Sequence, residues 1–187
     1  MLRRRAFLLA STAGALAACA TTSAPTVDAT ILSYLQAAVV AVPTVVGAIL
    51  SISPKAFSAD VSAQITSAET AASTALQGVI SSTPVTLGAS AMQVAENALA
   101  QALQLVGPVL TTIAAANPAA AALQTAVTVF DAVLPLLPAA ETWIASILGG
   151  TPTTTAAAAA PLKAIHTAYS PAAGYAVLQA HGLAPAK

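Results

Sequence analysis

The sequence predicts an all-α protein: an up-and-down bundle of about four kinked, alanine-rich amphipathic helices, followed by a weaker helical tail at the C-terminus. Three observations point there. Hydrophobic residues make up 57% of the 187 and aromatics only 4%, so the apolar content is chiefly alanine, valine and leucine. Larger apolar residues recur at alternating steps of four and three in four stretches, the period of one helix face. Pro, Gly and Asn fall between or within those stretches as breakers and caps.

The first stretch opens after Asp28, a helix-cap residue, and carries Ile31, Leu35, Ala38, Val42, Val45, Ile49 and Ile52 along one side. Ser33, Gln36, Thr44 and Ser51 fall elsewhere around it, and Pro43 inside it predicts a kink, because proline removes a backbone donor and crowds the preceding turn. Ser53, Pro54 and Lys55 mark a turn. Ser58 then caps a second helix with Val61, Ile65, Ala68, Ala72, Leu76 and Val79 on one face. Residues 81–88, with Pro84, read as a loop, after which Leu99, Leu103, Val106, Leu110 and Ile113 define a third stripe that Gly107 and Pro108 threaten to bend. Asn117 and Pro118 have the pattern of a cap followed by proline at the first helical position, predicting a fourth helix with Leu123, Val127, Phe130, Leu134 and Leu137. Pro135 and Pro138 bend or end that helix, and a further turn or two through Trp143 and Ile147 stops at Gly149 and Gly150.

The organisation that follows is a leader over residues 1–18, a tether over 19–27, the bundle over 28–150, a low-complexity linker over 151–160 and a helical tail over 161–187 interrupted by Pro171 and Gly174.

The first nineteen residues have the order of a secretory signal. Arg3, Arg4 and Arg5 form a basic start, and the eleven apolar or small residues over 6–16 are too few to span a bilayer, which takes roughly 20. Leu16, Ala17, Ala18 and Cys19 then resemble the lipobox of bacterial lipoprotein signals. The resemblance implies cleavage before Cys19 and acylation of that residue with two or three chains. It agrees with the cysteine count, since Cys19 is the only cysteine and cannot form an internal disulfide. Arg4, Arg5, Phe7 and Leu8 further resemble the twin-arginine export motif, although Arg3 and Leu9 depart from its preferred neighbours and three arginines also suit the general secretory route. Ala20, rather than Asp, after the cysteine implies sorting to the outer membrane more than retention in the inner one. The expected location is therefore the cell envelope, facing the periplasm, with the membrane as a partner through lipid on Cys19.

From Cys19 onward, Lys55, Lys163 and Lys187 face six carboxylates, a net charge of about minus three. No basic cluster exists to release counterions from a phosphate backbone, so nucleic acid is set aside as a partner. Enzyme chemistry also lacks its residues, and no cofactor is implied. His166 and His181 stand fifteen apart without a cysteine beside them, which gives no zinc spacing. Asp28, Asp60, Glu69, Glu96, Asp131 and Glu141 are scattered, and neither a Gly-x-Ser-x-Gly turn nor a Walker loop is present. Glu96 and Asp131 lie beside apolar stripes and are expected at their solvated edge, because unpartnered charges are rarely buried. Tyr34 and Trp143 suit either an interface or the core.

Two functional classes fit. One is a lipid-anchored helical module with a structural or protein-interaction role, its partner another protein or a second copy of itself. The other is a holin-like or pore-forming protein, favoured because residues 29–54, 97–130 and 142–162 each lack a charged side chain and are long enough to cross a bilayer. Prolines and segregated Gln, Asn and Thr in those stretches favour the first.

Overall fold

A computed structural model describes residues 27–80, 85–149 and 169–184. The protein is all-helical, and its helices assemble into a bundle around one hydrophobic core. Among the described residues there are six helical segments: α1 (Ala29–Ile52), α2 (Ala59–Ile80), α3 (Val85–Ala116), α4 (Ala121–Val133), α5 (Leu136–Leu148) and α6 (Pro171–Ala180).

Local chemistry sets most of the boundaries. The Asp28 carboxylate accepts hydrogen bonds from the amides of Thr30 at 2.7 Å and Ile31 at 3.3 Å, satisfying two donors that the first turn of α1 leaves open. The Ser58 hydroxyl oxygen accepts from the Val61 amide in the same way at α2. Gly149, with φ of 70°, ends α5 in the left-handed conformation that only glycine takes without strain. After α6, the amide of Gly182 donates to the Gln179 carbonyl and that of Leu183 to the Leu178 carbonyl, a paired closure that folds Leu183 back against the last turn.

Two boundaries differ from the sequence expectation. Asn117 does not open α4. Its side-chain amide donates to the Ile113 carbonyl at 3.1 Å, so it finishes α3, and Ala120 precedes α4 with no side-chain cap. The turn is held instead by the Gln124 amide donating to the Pro118 carbonyl at 2.9 Å. At the other end, α3 starts at Val85, inside the stretch expected to be loop, and so reaches 32 residues.

Pro43 and Pro108 lie within continuous helices, whereas Pro135 separates α4 from α5. Pro138 is tolerated because it occupies the first turn of α5, where an amide would have no helical partner.

The apolar stripes turn inward. Leu35, Val42, Val45 and Ile49 of α1, Ile65, Ala72 and Leu76 of α2, Leu99, Leu103, Val106 and Leu110 of α3, and Leu123 and Phe130 of α4 are all buried. The most extensive packing is between α2 and α3, while α1 lies chiefly against α4, α3 and α5. Alanines 37, 38, 41, 95, 102, 126, 132 and 140 are buried between the larger residues, which lets helix axes approach closely.

The C-terminal segment is more closely integrated than a weak tail. Ser170 caps α6, Pro171 occupies its first turn rather than interrupting it, and α6 packs on α4, with further contacts to α1 and α5. Gly174 lies inside α6 where the helix meets α4. A Cβ there would collide with the Ala132 carbonyl oxygen and lie 3.2 Å from Pro135 Cγ, so the close crossing requires glycine. Beside it, Tyr175 and Leu178 are buried, and the Tyr175 ring sits 5.3 Å from that of Tyr34, tilted by 52°.

Candidate functional site

Every residue that the targeting motifs single out lies outside the described residues: Arg4, Arg5, Phe7 and Leu8 of the export motif, and Leu16, Ala17, Ala18 and Cys19 of the lipobox. The linker at 151–160 and His166 lie outside them too. The bundle's own surface and interior supply the remaining candidates.

A groove of about 530 Å³ runs between α1 and α2 beside the chain that follows α6. Val39 and Val40 of α1, Leu76 of α2 and Leu183 give it apolar walls, and Gln36, Ser73 and Gln77 add neutral hydrogen-bonding groups. No charged side chain lines it. Its position also fixes how the helices run. Residues 36–40 lie early in α1 and residues 73–77 late in α2, so the two helices are antiparallel. Four residues separate α2 from α3, and these two make the most extensive packing in the molecule, so α3 turns back along α2. The starts of α1 and α3 and the end of α2 therefore share one end of the bundle.

The interior holds three carboxylates, and here the expectation of a solvated edge is overturned. Glu96 of α3 is only 3% exposed and Asp131 of α4 only 7%, and Glu141 of α5 joins them at 8%. Glu96 is buried because it continues the stripe itself: Met92, Glu96, Leu99, Leu103, Val106 and Leu110 follow the four-three rhythm without a gap. Asp131 is buried because the last turn of α4 is enclosed all round, with residues 129–133 all inside. Among the described residues no three His, Cys, Asp or Glu side chains converge to hold a metal ion. His181 is exposed at the end of α6. Partial burial raises the Glu69 carboxyl above its ordinary value, through desolvation of the charged form.

Tyr34 belongs to the core, and Trp143 is partly buried against it. The pairing of Tyr34 with Tyr175 joins the first helix to the last and has no signal in the sequence, since 141 positions separate the two rings.

Three helical stretches are long and apolar enough to cross a membrane: α1, α3, and Ala121–Leu148, which takes in α4 and α5. In their most apolar parts 39%, 44% and 50% of the residues are buried inside the bundle, so much of the apolar surface already has a protein partner. Comparison of the chain with protein-family models, with curated proteins and with solved structures finds no match.

Proposed function

We propose that this protein is a lipid-anchored helical component of a bacterial cell envelope, facing the periplasm and held by acyl chains on Cys19, with a structural or protein-interaction role rather than a catalytic one. The observation that carries the reading is the run Leu16, Ala17, Ala18, Cys19 after an arginine-led apolar segment, with that cysteine the only one in the chain. Acylation explains the lone thiol. Each buried methylene contributes about 0.8 kcal/mol, so two or three chains give a stable anchor where one would not. Outer-membrane sorting goes with Ala20 in place of Asp.

The bundle supports the same reading. An up-and-down passage of the four main helical runs, α1, α2, α3 and the broken pair α4 and α5, with α6 packed on α4, goes with this reading, because a fold that buries its own stripes needs no lipid around them. The neutral groove and the scarcity of surface charge suit association with another protein, or with a second copy of this one, better than turnover of a substrate.

Cys19→Ser tests the anchor. The expected result is complete loss of labelling by a fatty-acid probe and release of the protein from the membrane fraction. Continued labelling of that variant would sink the assignment. Export by the twin-arginine route is tested by Arg4→Lys with Arg5→Lys, which keeps the charge and alters the recognised pair. The precursor is expected to accumulate uncut, and normal processing would point to the general secretory route.

The second reading, a holin-like or pore-forming protein, is favoured by the three helical stretches of membrane-crossing length. It requires the bundle to open so that stripes now packed together face lipid.

A further inference from the structure

The exposed large apolar side chains are unevenly placed. Among the described residues they are Val40, Ile52, Leu87, Val94 and Leu148. Leu87 and Val94 stand about 3 Å and 14 Å from the start of α3, and Val40 about 17 Å from the start of α1, at the helical rise of roughly 1.5 Å per residue. Leu87 therefore stands at the end of the bundle that the starts of α1 and α3 share with the end of α2, Val94 lies two turns above it, and Val40 is near the middle of α1. Leu87 and Val94 are seven positions apart, two turns up one face of α3, and are 56% and 54% exposed. Ala91 and Ala98 lie partly buried along the same face.

Charge is distributed the opposite way. The first ten residues of α1 and of α3 and the last ten of α2 contain no charged side chain. Asp28, which caps this end, brings a carboxylate held by two amides, and His181 is exposed two residues before Leu183 of the groove wall. At the far end, around the turn between α1 and α2, Lys55 and Asp60 are exposed.

We propose that this charge-poor end is a bilayer-docking surface, with Leu87 entering the headgroup and acyl boundary, Val94 above it, and Lys55 and Asp60 pointing away from the membrane. The inference rests on the lipid-anchor reading, because chain length then selects the occupant. Eight residues, 20–27, join Cys19 to Asp28, and the nine steps between those two residues, at about 3.3–3.6 Å each, span at most roughly 32 Å. Helix α1 has 24 residues and is about 36 Å long. A tether shorter than the bundle cannot let it stand on its far end, so a bilayer that holds Cys19 lies nearest the end that carries Asp28 and Leu87. An end without a basic cluster among the described residues has nothing to pair with an anionic headgroup and is expected to dock on neutral lipid.

The test uses the full chain, lipidated and reconstituted into phosphatidylcholine vesicles that contain brominated lipid. Trp143→Phe removes the native indole, and Leu87→Trp or Lys55→Trp then places a single reporter at either end. Both sites are exposed, and circular dichroism checks that helicity is kept. The indole at position 87 is expected to be quenched about threefold more than the one at 55, given insertion of roughly 5–10 Å. Equal quenching at the two sites, or none at 87, overturns the docking surface. A second copy or a partner protein covering Leu87 would appear as an unquenched indole there with a larger sedimenting species. Fatty-acid labelling of Cys19 is read on the same preparations. Labelled Cys19 with an unquenched indole at 87 sinks the docking surface alone, and unlabelled Cys19 sinks the anchor and the tether argument with it.

Discussion

Leu103→Asp is expected to unfold the bundle. Leu103 is 5% exposed in the middle of the α3 stripe, between Leu99 and Val106, both fully buried. A carboxylate there loses the apolar contact and must either stay charged without a partner or take up a proton at neutral pH. The loss is about 4 kcal/mol or more, which equals most of the stability of a small domain at the lower end of the roughly 5–15 kcal/mol range. Gln101, two residues earlier, is exposed, and Gln101→Asp is expected to change stability by no more than about 0.5 kcal/mol. Residues 24–187, which omit the signal and the cysteine, allow the comparison by circular dichroism and sedimentation without detergent. A cooperative helical melt for the parent and the Gln101 variant, lost in the Leu103 variant, is the result a self-contained bundle gives. Equal damage from both, or recovery only in detergent, would transfer the weight to the pore-forming reading.

Gly174→Ala is expected to loosen α6 from α4. The added methyl meets the Ala132 carbonyl, a backbone atom that cannot rotate away, so the helices must separate. Overpacking of this kind costs about 1–3 kcal/mol while α6 stays docked. Detachment instead exposes Tyr175 and Leu178, each contributing about 1.5–3 kcal/mol when fully buried. A lowered denaturation midpoint, together with faster proteolysis near residue 170, would report the loosening. An unchanged midpoint would show that α6 adds nothing to the core. Gly47 and Gly78 have open space where a Cβ would go, so alanine at either is a suitable control.

The fold class was legible because its signals are local. Asp28 and Ser58 cap the helices they precede, and the stripes of α1 and α2 read from the sequence are buried except at Val61 and Ile52, near their ends. Asn117 misled because an Asn followed by Pro fits a helix start, while the same amide can equally close the helix before it, and only the approach of Gln124 to the Pro118 carbonyl separates the two. Glu96 and Asp131 were misplaced for a different reason. The rule that charges stay wet was set against the periodicity, and at Glu96 the periodicity was the better guide. The docking of α6 had no sequence signal, since a glycine inside a helix reads as a weakness until the neighbour that needs it is known. Of the functional site, the targeting residues are wholly a matter of sequence, whereas the groove and the grouping of the charge-free starts of α1 and α3 with the end of α2 exist only once those helices are folded together.

The preference of α1 for late partners bears on how the protein is made. Its main neighbour, α4, is complete only at Val133, some 80 residues after α1 ends, so at about 5–20 residues per second roughly 4–16 s pass during synthesis before that face can be covered. Helix α1 is also the most hydrophobic of the three membrane-length stretches, with a mean hydropathy of 2.1 against 1.5 for the others. The nascent chain thus presents its most hydrophobic helix first and covers the side that faces α4 only late, a long exposure during synthesis that the finished bundle no longer carries.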